Sequence, residues 1–462
     1  MAAEPVSEDL MHRLEGAGHR YASYPTADRF VEAFSADDYI QALKLRSIGA
    51  AATAQPFSIY VHIPFCKSLC YFCACNKTIT RHHDRAATYL QYLSREVDLH
   101  TRHLGFSQPV KQLHLGGGTP TFLSDPALLE LMQMLRKNFS FASKGEYTIE
   151  VDPRTVDATR LSTLFELGFN CLSLGVQDFD PIVQKAIHRV QPYAQVVSLV
   201  AAARQLGFDA INIDLMVGLP RQSTESFDRT LAQVIELRPE RISVYAYAHL
   251  PDRFKPQRKI AAAELPSEAA KAAMMSCSMT TFIGAGYVHL GMSHFALPTD
   301  SLAIAKRQGR LHRNLQGYST QPDGDFIGLG VSSIGRIGAT YSQNSKTLAE
   351  YFDHIDQGLF PVVQGLGLSR DDLVRRAVIM SLMCQGEVLF ESIELAHLLV
   401  FKKYFATELE ELETLVDQGW VTRDDSGIQV TSTGSLFVHA VAMVFDRYLQ
   451  ADRMRARFSR II

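Results

Sequence analysis

Short, β-rich apolar runs alternate with longer stretches of helical periodicity through the first half of the chain. The apolar runs lie at 57–63, 111–115, 147–151, 170–174, 210–215 and 241–247. Between them, 86–103, 126–138, 156–167, 194–206 and 224–237 carry the spacing of amphipathic helices. Gly105, Gly168 and Gly207 fall just after three of these segments, where helix C-caps belong. Strands alternating with helices predict βα units on a parallel sheet, an α/β fold. Six units are fewer than the eight of a closed barrel, so a partial (βα)6 barrel and an open sheet both satisfy the pattern.

The texture changes at either end. Before the first strand, 1–50 form an N-terminal arm containing Arg20, Tyr21, Ala22, Ser23, Tyr24, Pro25 and Thr26. After about residue 365 the chain turns helical, with helices expected over 368–385 and 394–418 and a β-hairpin over 419–430 turning at Asp425-Ser426-Gly427. Helices followed by a hairpin suggest a small, mostly helical, winged-helix-like domain at 365–462. The barrel then occupies 51–290, with an extension at 291–364. A chain of 462 residues is long enough for such a division.

Charge and composition narrow the function by exclusion. A net charge of −3 gives no electrostatic reason to expect a nucleic-acid partner. No run of 18 or more apolar residues and no apolar signal core occur, so a cytoplasmic protein with no membrane partner is expected.

Four of the seven cysteines crowd into one short segment, Cys66, Cys70, Cys73 and Cys75. Cys171, Cys277 and Cys384 stand apart in apolar context, and the odd count argues against a disulfide framework. The first three of the crowded set have C-x3-C-x2-C spacing. A loop carrying three thiolates this close wraps one corner of an iron–sulfur cubane and leaves the fourth iron open, as a bidentate amino-carboxylate ligand such as S-adenosylmethionine (SAM) requires. A zinc knuckle would need a second C-x-x-C or His pair, and none is present. Cys75, two residues beyond Cys73, is expected to point the other way along an extended loop, near the cluster rather than on it.

Further polar groups fall at the C-terminal ends of the expected strands, where barrels gather their chemistry. Gly116, Gly117, Gly118 and Thr119 follow the second strand, Glu150 and Asp152 end the third, Gln177 follows the fourth, Asp214 ends the fifth and Tyr247-Ala248 follow the sixth. A glycine run is usually a turn and a carboxylate after a strand is often a helix N-cap, so the convergence carries more than any one residue.

These motifs, together with 20–26, 175–179, 212–220, 312–318 and the closing 458–462, resemble the oxygen-independent coproporphyrinogen III oxidases, a radical SAM family of anaerobic haem synthesis. The resemblance implies a 4Fe–4S cluster on Cys66, Cys70 and Cys73 and two SAM molecules among Tyr60, Phe72, Gly117, Gly118, Thr119, Glu150, Gln177, Arg189, Asp214, Ala248 and Ile334. It implies oxidative decarboxylation of two propionates of coproporphyrinogen III to vinyl groups. Arg20, Tyr24, Arg313 and Tyr318, with Tyr60 and Cys75, are the residues expected to serve that substrate, the guanidinium groups as carboxylate anchors. A reduced flavodoxin- or ferredoxin-type donor and a monomeric state are expected. Ser293 and Ala22 depart from the family pattern. The rivals are a haem chaperone, a radical SAM methyltransferase or cyclopropanase, and a DNA-reading winged helix, whose recognition segment would carry Glu408, Glu410, Glu411 and Glu413 towards phosphate.

Overall fold

All six expected strands form: β1 Phe57–Ile63, β2 Gln108–Gly117, β3 Phe139–Val151, β4 Cys171–Gln177, β5 Ala210–Val217 and β6 Arg241–Ala246. In this computed structural model, which describes residues 21–48 and 55–458, they lie side by side in sequence order, each parallel to the next. The intervening helices are Asp84–Leu104, Asp125–Asn138, Ala158–Glu166, Tyr193–Leu206 and Thr224–Leu237. Gly207 ends one of them in the left-handed conformation at φ 93°, which a side chain would disfavour.

The sheet does not close. Beyond β6 it continues into antiparallel β7 Val288–Gly291 and β8 His294–Ala296. On the other flank β9 Phe326–Leu329 runs parallel to β1, followed by antiparallel β10 Ile334–Ile337, β11 Thr340–Asn344 and β12 Val362–Gly367. The order is β12-β11-β10-β9-β1-β2-β3-β4-β5-β6-β8-β7. The partial barrel is thus the parallel centre of an open twelve-stranded sheet.

Its two faces differ in kind. One face, with Ile59, Val61, Leu113, Leu115, Ile149, Leu172, Leu174, Ile211, Ile213, Ile242 and Val244, is buried in the main core. The alternate positions carry Tyr60, His62, Gln112, His114, Glu150, Ser173, Asn212, Asp214 and Ser243, aligned across neighbouring strands. Parallel sheets are ordinarily apolar on both faces. A polar second face means that this sheet lines a site.

The C-terminal region has its own core, around Val378, Leu382, Phe401, Phe405, Trp420, Val441 and Phe445. Helix Arg370–Gln385 forms as expected, and Val421–Arg423 and Gly427–Val430 make the expected hairpin, to which Glu387–Leu389 adds a third strand. The single helix expected over 394–418 is instead three pieces, Phe390–His397, Phe401–Tyr404 and Ala406–Asp417. Leu398 turns left-handed, Arg370 takes the carbonyls of His397 and Leu398, and the Glu394 carboxylate accepts from the Phe401 amide, which stops one helix and starts the next.

The described arm is shared between the two cores: Phe34, Tyr39, Ala42 and Leu43 join the main one, and its first residues join the second. Tyr21 and Tyr24 are fully buried in it; the Tyr21 hydroxyl donates to Asp446 Oδ2 at 2.9 Å, and Tyr24 Oη accepts from the Arg447 amide at 3.3 Å. The arm then reaches the sheet edge, where Phe30 stacks on Tyr341 and Val31 bridges to Gly365. Among the described residues no helix is long and apolar enough to cross a membrane.

Candidate active site

The cysteine loop is closed at its neck and pinned along its length. Phe65–Cys66 pairs parallel with Thr78–Ile79, and the Thr80 amide donates to the Cys66 carbonyl at 3.0 Å. Further along, the Tyr71 amide donates to Ile187 O at 3.0 Å and its ring stacks on His188 with 5.0 Å between centroids. Cys66 Sγ lies 3.4 Å from Thr119 Oγ1, and burial pushes its thiol up to about 11. Cys75 departs from expectation. Its thiol lies beside that of Cys73, and their interaction draws the Cys73 pKa down to about 6 while holding that of Cys75 well above the ordinary value. The loop is turned rather than extended there, because Lys77 Nζ donates to the carbonyls of both Cys73 and Cys75 at 3.1 and 3.2 Å.

Among the described residues no three His, Cys, Asp or Glu side chains converge to hold a single metal ion. A cubane sets each thiolate on a different iron, so its ligands stand apart around it. The soft, all-sulfur donor set fits an iron–sulfur cluster. The glycine run fits closely against it, since a Cβ on Gly118 would stand 3.0 Å from Cys66 Sγ.

The polar sheet face supplies the rest of the rim. Glu150 accepts from the Gly117 amide at 3.2 Å through Oε2 and meets His114 Nε2 at 3.0 Å through Oε1. Gly117 sits at φ +115°, and a Cβ on Gly116 would come within 2.7 Å of Glu150, so both glycines are required for the carboxylate to lie on the backbone. His62 Nε2 faces Asn76 O at 3.0 Å, which leaves Nδ1 to accept from the Tyr60 hydroxyl at 3.1 Å. Burial, and then Glu150, holds the Tyr60 phenol well above its ordinary pKa. Asp214 accepts from Ser173 Oγ at 2.8 Å and Asn212 Nδ2 at 2.9 Å; burial pushes it up to about 6. Gln177, left-handed at φ 71°, keeps a buried Oε1 with no hydrogen-bond partner. An orphaned acceptor at the same rim as the Glu150 and Asp214 carboxyl groups is what a polar, amine-bearing cofactor such as SAM would satisfy.

Arg189 donates to Gly175 O through Nε and Nη2 at 3.1 and 2.6 Å, and through Nη1 to Asp152 Oδ2 at 3.1 Å and Cys70 Sγ at 3.4 Å. Phe72 packs with Tyr247 on a small apolar cluster, its carbonyl taken by Gln257 Nε2 at 3.1 Å, and Ala248 is exposed just beyond Tyr247. Ile334 opens β10 with its carbonyl 2.4 Å from where a Cβ on Gly328 would stand, and Gly328 is the register partner of Tyr60. Sequence reasoning passed over Arg154, which donates to Asp152 Oδ2 at 2.7 Å and Cys70 Sγ at 3.5 Å. It also passed over His62, His114, Ser173 and Asn212, whose polarity at alternate strand positions was the available signal.

The expected substrate residues are only partly brought together. Arg313 is buried in the wall of a cavity of about 400 Å³, together with Tyr245, Met279, His439, Ala22 and Ser293. Tyr318 has no free face. Its hydroxyl donates to Met383 O at 2.9 Å and its ring lies under the Arg313 guanidinium at 4.7 Å, so it supports that arginine. Tyr24 is likewise corrected from a substrate contact to a core residue, with no accessible surface. Arg20 and 459–462 lie outside the described residues.

Comparisons with known proteins agree with this geometry. Residues 60–234 match the Radical SAM superfamily and 368–437 the HemN C-terminal domain. The oxygen-independent coproporphyrinogen III oxidase of Pseudomonas aeruginosa is 47% identical over 456 residues, covering 98% of both chains. Its counterpart in Escherichia coli K12 is 44% identical over 464 residues, covering 100% of both. A solved structure of the E. coli coproporphyrinogen III oxidase (HemN), described as a radical SAM enzyme, superposes with a TM-score of 0.88 at 45% identity, covering 93% of this chain and 97% of that one.

Proposed function

This chain belongs to the oxygen-independent coproporphyrinogen III oxidase family of the radical SAM superfamily, and from that premise we infer that it converts two propionates of coproporphyrinogen III to vinyl groups, giving protoporphyrinogen IX. The observation that carries the reading is one juxtaposition. The Cys66–Cys70–Cys73 loop, the polar sheet face bearing Glu150 and Asp214, and a cavity walled by the buried Arg313 all lie at the C-terminal rim of the same sheet or just beyond it.

In this proposal Cys66, Cys70 and Cys73 hold a 4Fe–4S cluster, and Cys75 stays beside it, next to Cys73. Tyr60, Phe72, Gly117, Gly118, Thr119, Glu150, Gln177, Arg189, Asp214, Ala248 and Ile334 hold two SAM molecules. When bound, these groups supply a carbon-centred radical that takes a hydrogen atom from a propionate β-carbon. The protein's own part is positioning and exclusion of water. Glu150 is fixed by His114 and the Gly117 amide, ready to accept from an ammonium group. Arg313, stacked on Tyr318, offers a bidentate grip to a carboxylate. The divisions at 1–50, 51–290, 291–364 and 365–462, a cytoplasmic monomer and a reduced flavodoxin- or ferredoxin-type electron donor complete the proposal.

Anaerobic incubation with SAM, a one-electron reductant and coproporphyrinogen III, followed by mass spectrometry, is expected to give a product lighter by two CO2 and four hydrogen atoms. Cys→Ser at positions 66, 70 and 73 should abolish both product and the brown cluster absorbance, while Cys75→Ser keeps the absorbance. A wild-type protein that binds haem tightly and makes no decarboxylated product would overturn the proposal in favour of a chaperone.

A further inference from the structure

The three loop cysteines have unequal surroundings. Cys66 meets one neutral hydroxyl, Thr119, and Cys73 meets the Cys75 thiol with the Lys77 ammonium close by. Cys70 alone is approached by two guanidinium groups, Arg154 Nη2 at 3.5 Å and Arg189 Nη1 at 3.4 Å, both within N–H···S range. Between the two arginines sits one carboxylate. Asp152 Oδ2 accepts from Arg154 at 2.7 Å and from Arg189 at 3.1 Å. Burial opposes its charge, yet the two arginines hold Asp152 below the ordinary carboxylate value, so it stays ionised. Two cations sharing one anion leave a net positive charge against the Cys70 sulfur.

The arrangement is rigid for reasons visible in the chain. Asp152 ends β3 and caps the short turn Pro153–Thr155 by accepting from the Arg154 amide at 3.1 Å. Asp152 Oδ1 also accepts from Arg154 Nε at 3.0 Å, and Arg154 Nη1 reaches His188 O at 3.4 Å. The guanidinium fork is therefore fixed at several atoms, with Nη2 left aimed at sulfur. A lysine has no fork with which to hold Asp152 and reach Cys70 together. The Arg154 side chain is only 21% exposed, so water screens the contact little.

We propose that Arg154, clamped by Asp152, is a positioning residue that raises the reduction potential of the cluster by donating an N–H bond to the thiolate of Cys70. The inference rests on the reading that Cys70 is a cluster ligand. Reduction adds one electron to the cluster from a one-electron donor protein, oxidising that donor by one electron, and breaks no bond. The reduced cluster is the more negative state, so a cationic N–H donor stabilises it more than the oxidised one, and hydrogen bonds to sulfur are among the settings of such potentials.

The test is an EPR-monitored redox titration of the reconstituted full-length protein, with neither SAM nor substrate present. In Arg154→Met the ratio of reduced to oxidised cluster at a fixed potential should fall about tenfold, equivalent to a midpoint about 59 mV lower for one electron. Arg154→Lys, which keeps the charge but not the fork, should fall between. Cluster content should match the wild type in both. A midpoint unmoved in Arg154→Met at full cluster content overturns this inference alone, and a wild-type chain that assembles no cluster overturns the parent reading with it. Should Arg154→Met fail to assemble, pulsed EPR of the reduced wild-type cluster labelled with ¹⁵N-arginine decides the matter. Couplings to two arginine nitrogens are expected, one each from Arg154 and Arg189, and a single coupling or none refutes the Arg154 bond.

Discussion

Gly118→Ala tests the shape argument at the centre of the site. The Gly118 amide donates to Ile63 O at 2.8 Å, which fixes the residue at the end of β2. An added Cβ would stand 2.9 Å from Phe65 O, 3.0 Å from the Pro64 carbonyl carbon and 3.0 Å from Cys66 Sγ, where ordinary contact begins at 3.4 Å. Two of these three atoms are backbone, so relief requires moving the entry to the cysteine loop. Overpacking of this kind costs about 1–3 kcal/mol, and here the displacement falls on Cys66, proposed above as a cluster ligand. The expected result is an apparent melting temperature lower by a few degrees, on the order of 1–2 °C per kcal/mol in a chain this long, and iron and sulfide content per chain below wild type after anaerobic reconstitution. Gly116→Ala is the control. The atoms nearest its Cβ all lie at the end of the Glu150 side chain, which is 42% exposed, so relief requires only that this carboxylate leave His114 and the Gly117 amide. That variant should keep its cluster and its melting temperature while losing SAM affinity about tenfold or more, the worth of a charge-assisted bond. A Gly118→Ala protein with wild-type iron content and stability would refute the close fit of the glycine run to the loop.

Tyr21→Phe removes the hydroxyl that donates to Asp446 Oδ2 and should cost about 1–3 kcal/mol, seen as earlier denaturant unfolding and faster proteolysis of the C-terminal region. Glu96 is buried among Tyr351, Asn344 and the Gly330 amide, and burial raises its carboxyl from 4.5 to about 7. The folded chain thus keeps a proton that the unfolded chain has released, so stability from this group is full below 4.5 and is lost as pH rises through about 7. Unfolding free energies from denaturant titrations across that interval should fall by an amount on the order of 3 kcal/mol, and Glu96→Gln should flatten the dependence; an unchanged slope in the variant would rule the assignment out.

The parallel strands were legible because their outward positions, such as Ile59, Leu113, Ile213 and Val244, are the β-branched and apolar residues that pack under helices. The alternation hidden within those same runs was the stronger signal and went unread, although His114, Glu150, Ser173, Asn212 and Asp214 mark the site face one position apart from the core. β9 was too short and glycine-rich to stand out. The break at Leu398 was invisible because a leucine-rich segment continues a helix on propensity alone, whereas Arg370, distant in sequence, takes the carbonyls that end it. Cysteine spacing pointed to the loop proposed to hold the cluster but not to the fold-back that brings Cys75 to Cys73, which depends on Lys77. Tyr24 misled because a tyrosine beside an arginine suits a porphyrin ring and a protein core equally well; its place was decided by Arg447.

The bond from Tyr21 to Asp446 joins residues 425 positions apart. At about 5–20 residues per second, a ribosome takes roughly 20–85 seconds to travel that distance. The parallel strands, each made shortly after its neighbour, have time to assemble meanwhile, whereas Tyr21 and Tyr24 emerge early and wait for a core that does not yet exist. Enclosing Tyr21 and Tyr24 in a core whose other members lie far later in the chain leaves this contact to be made after the parallel sheet has assembled.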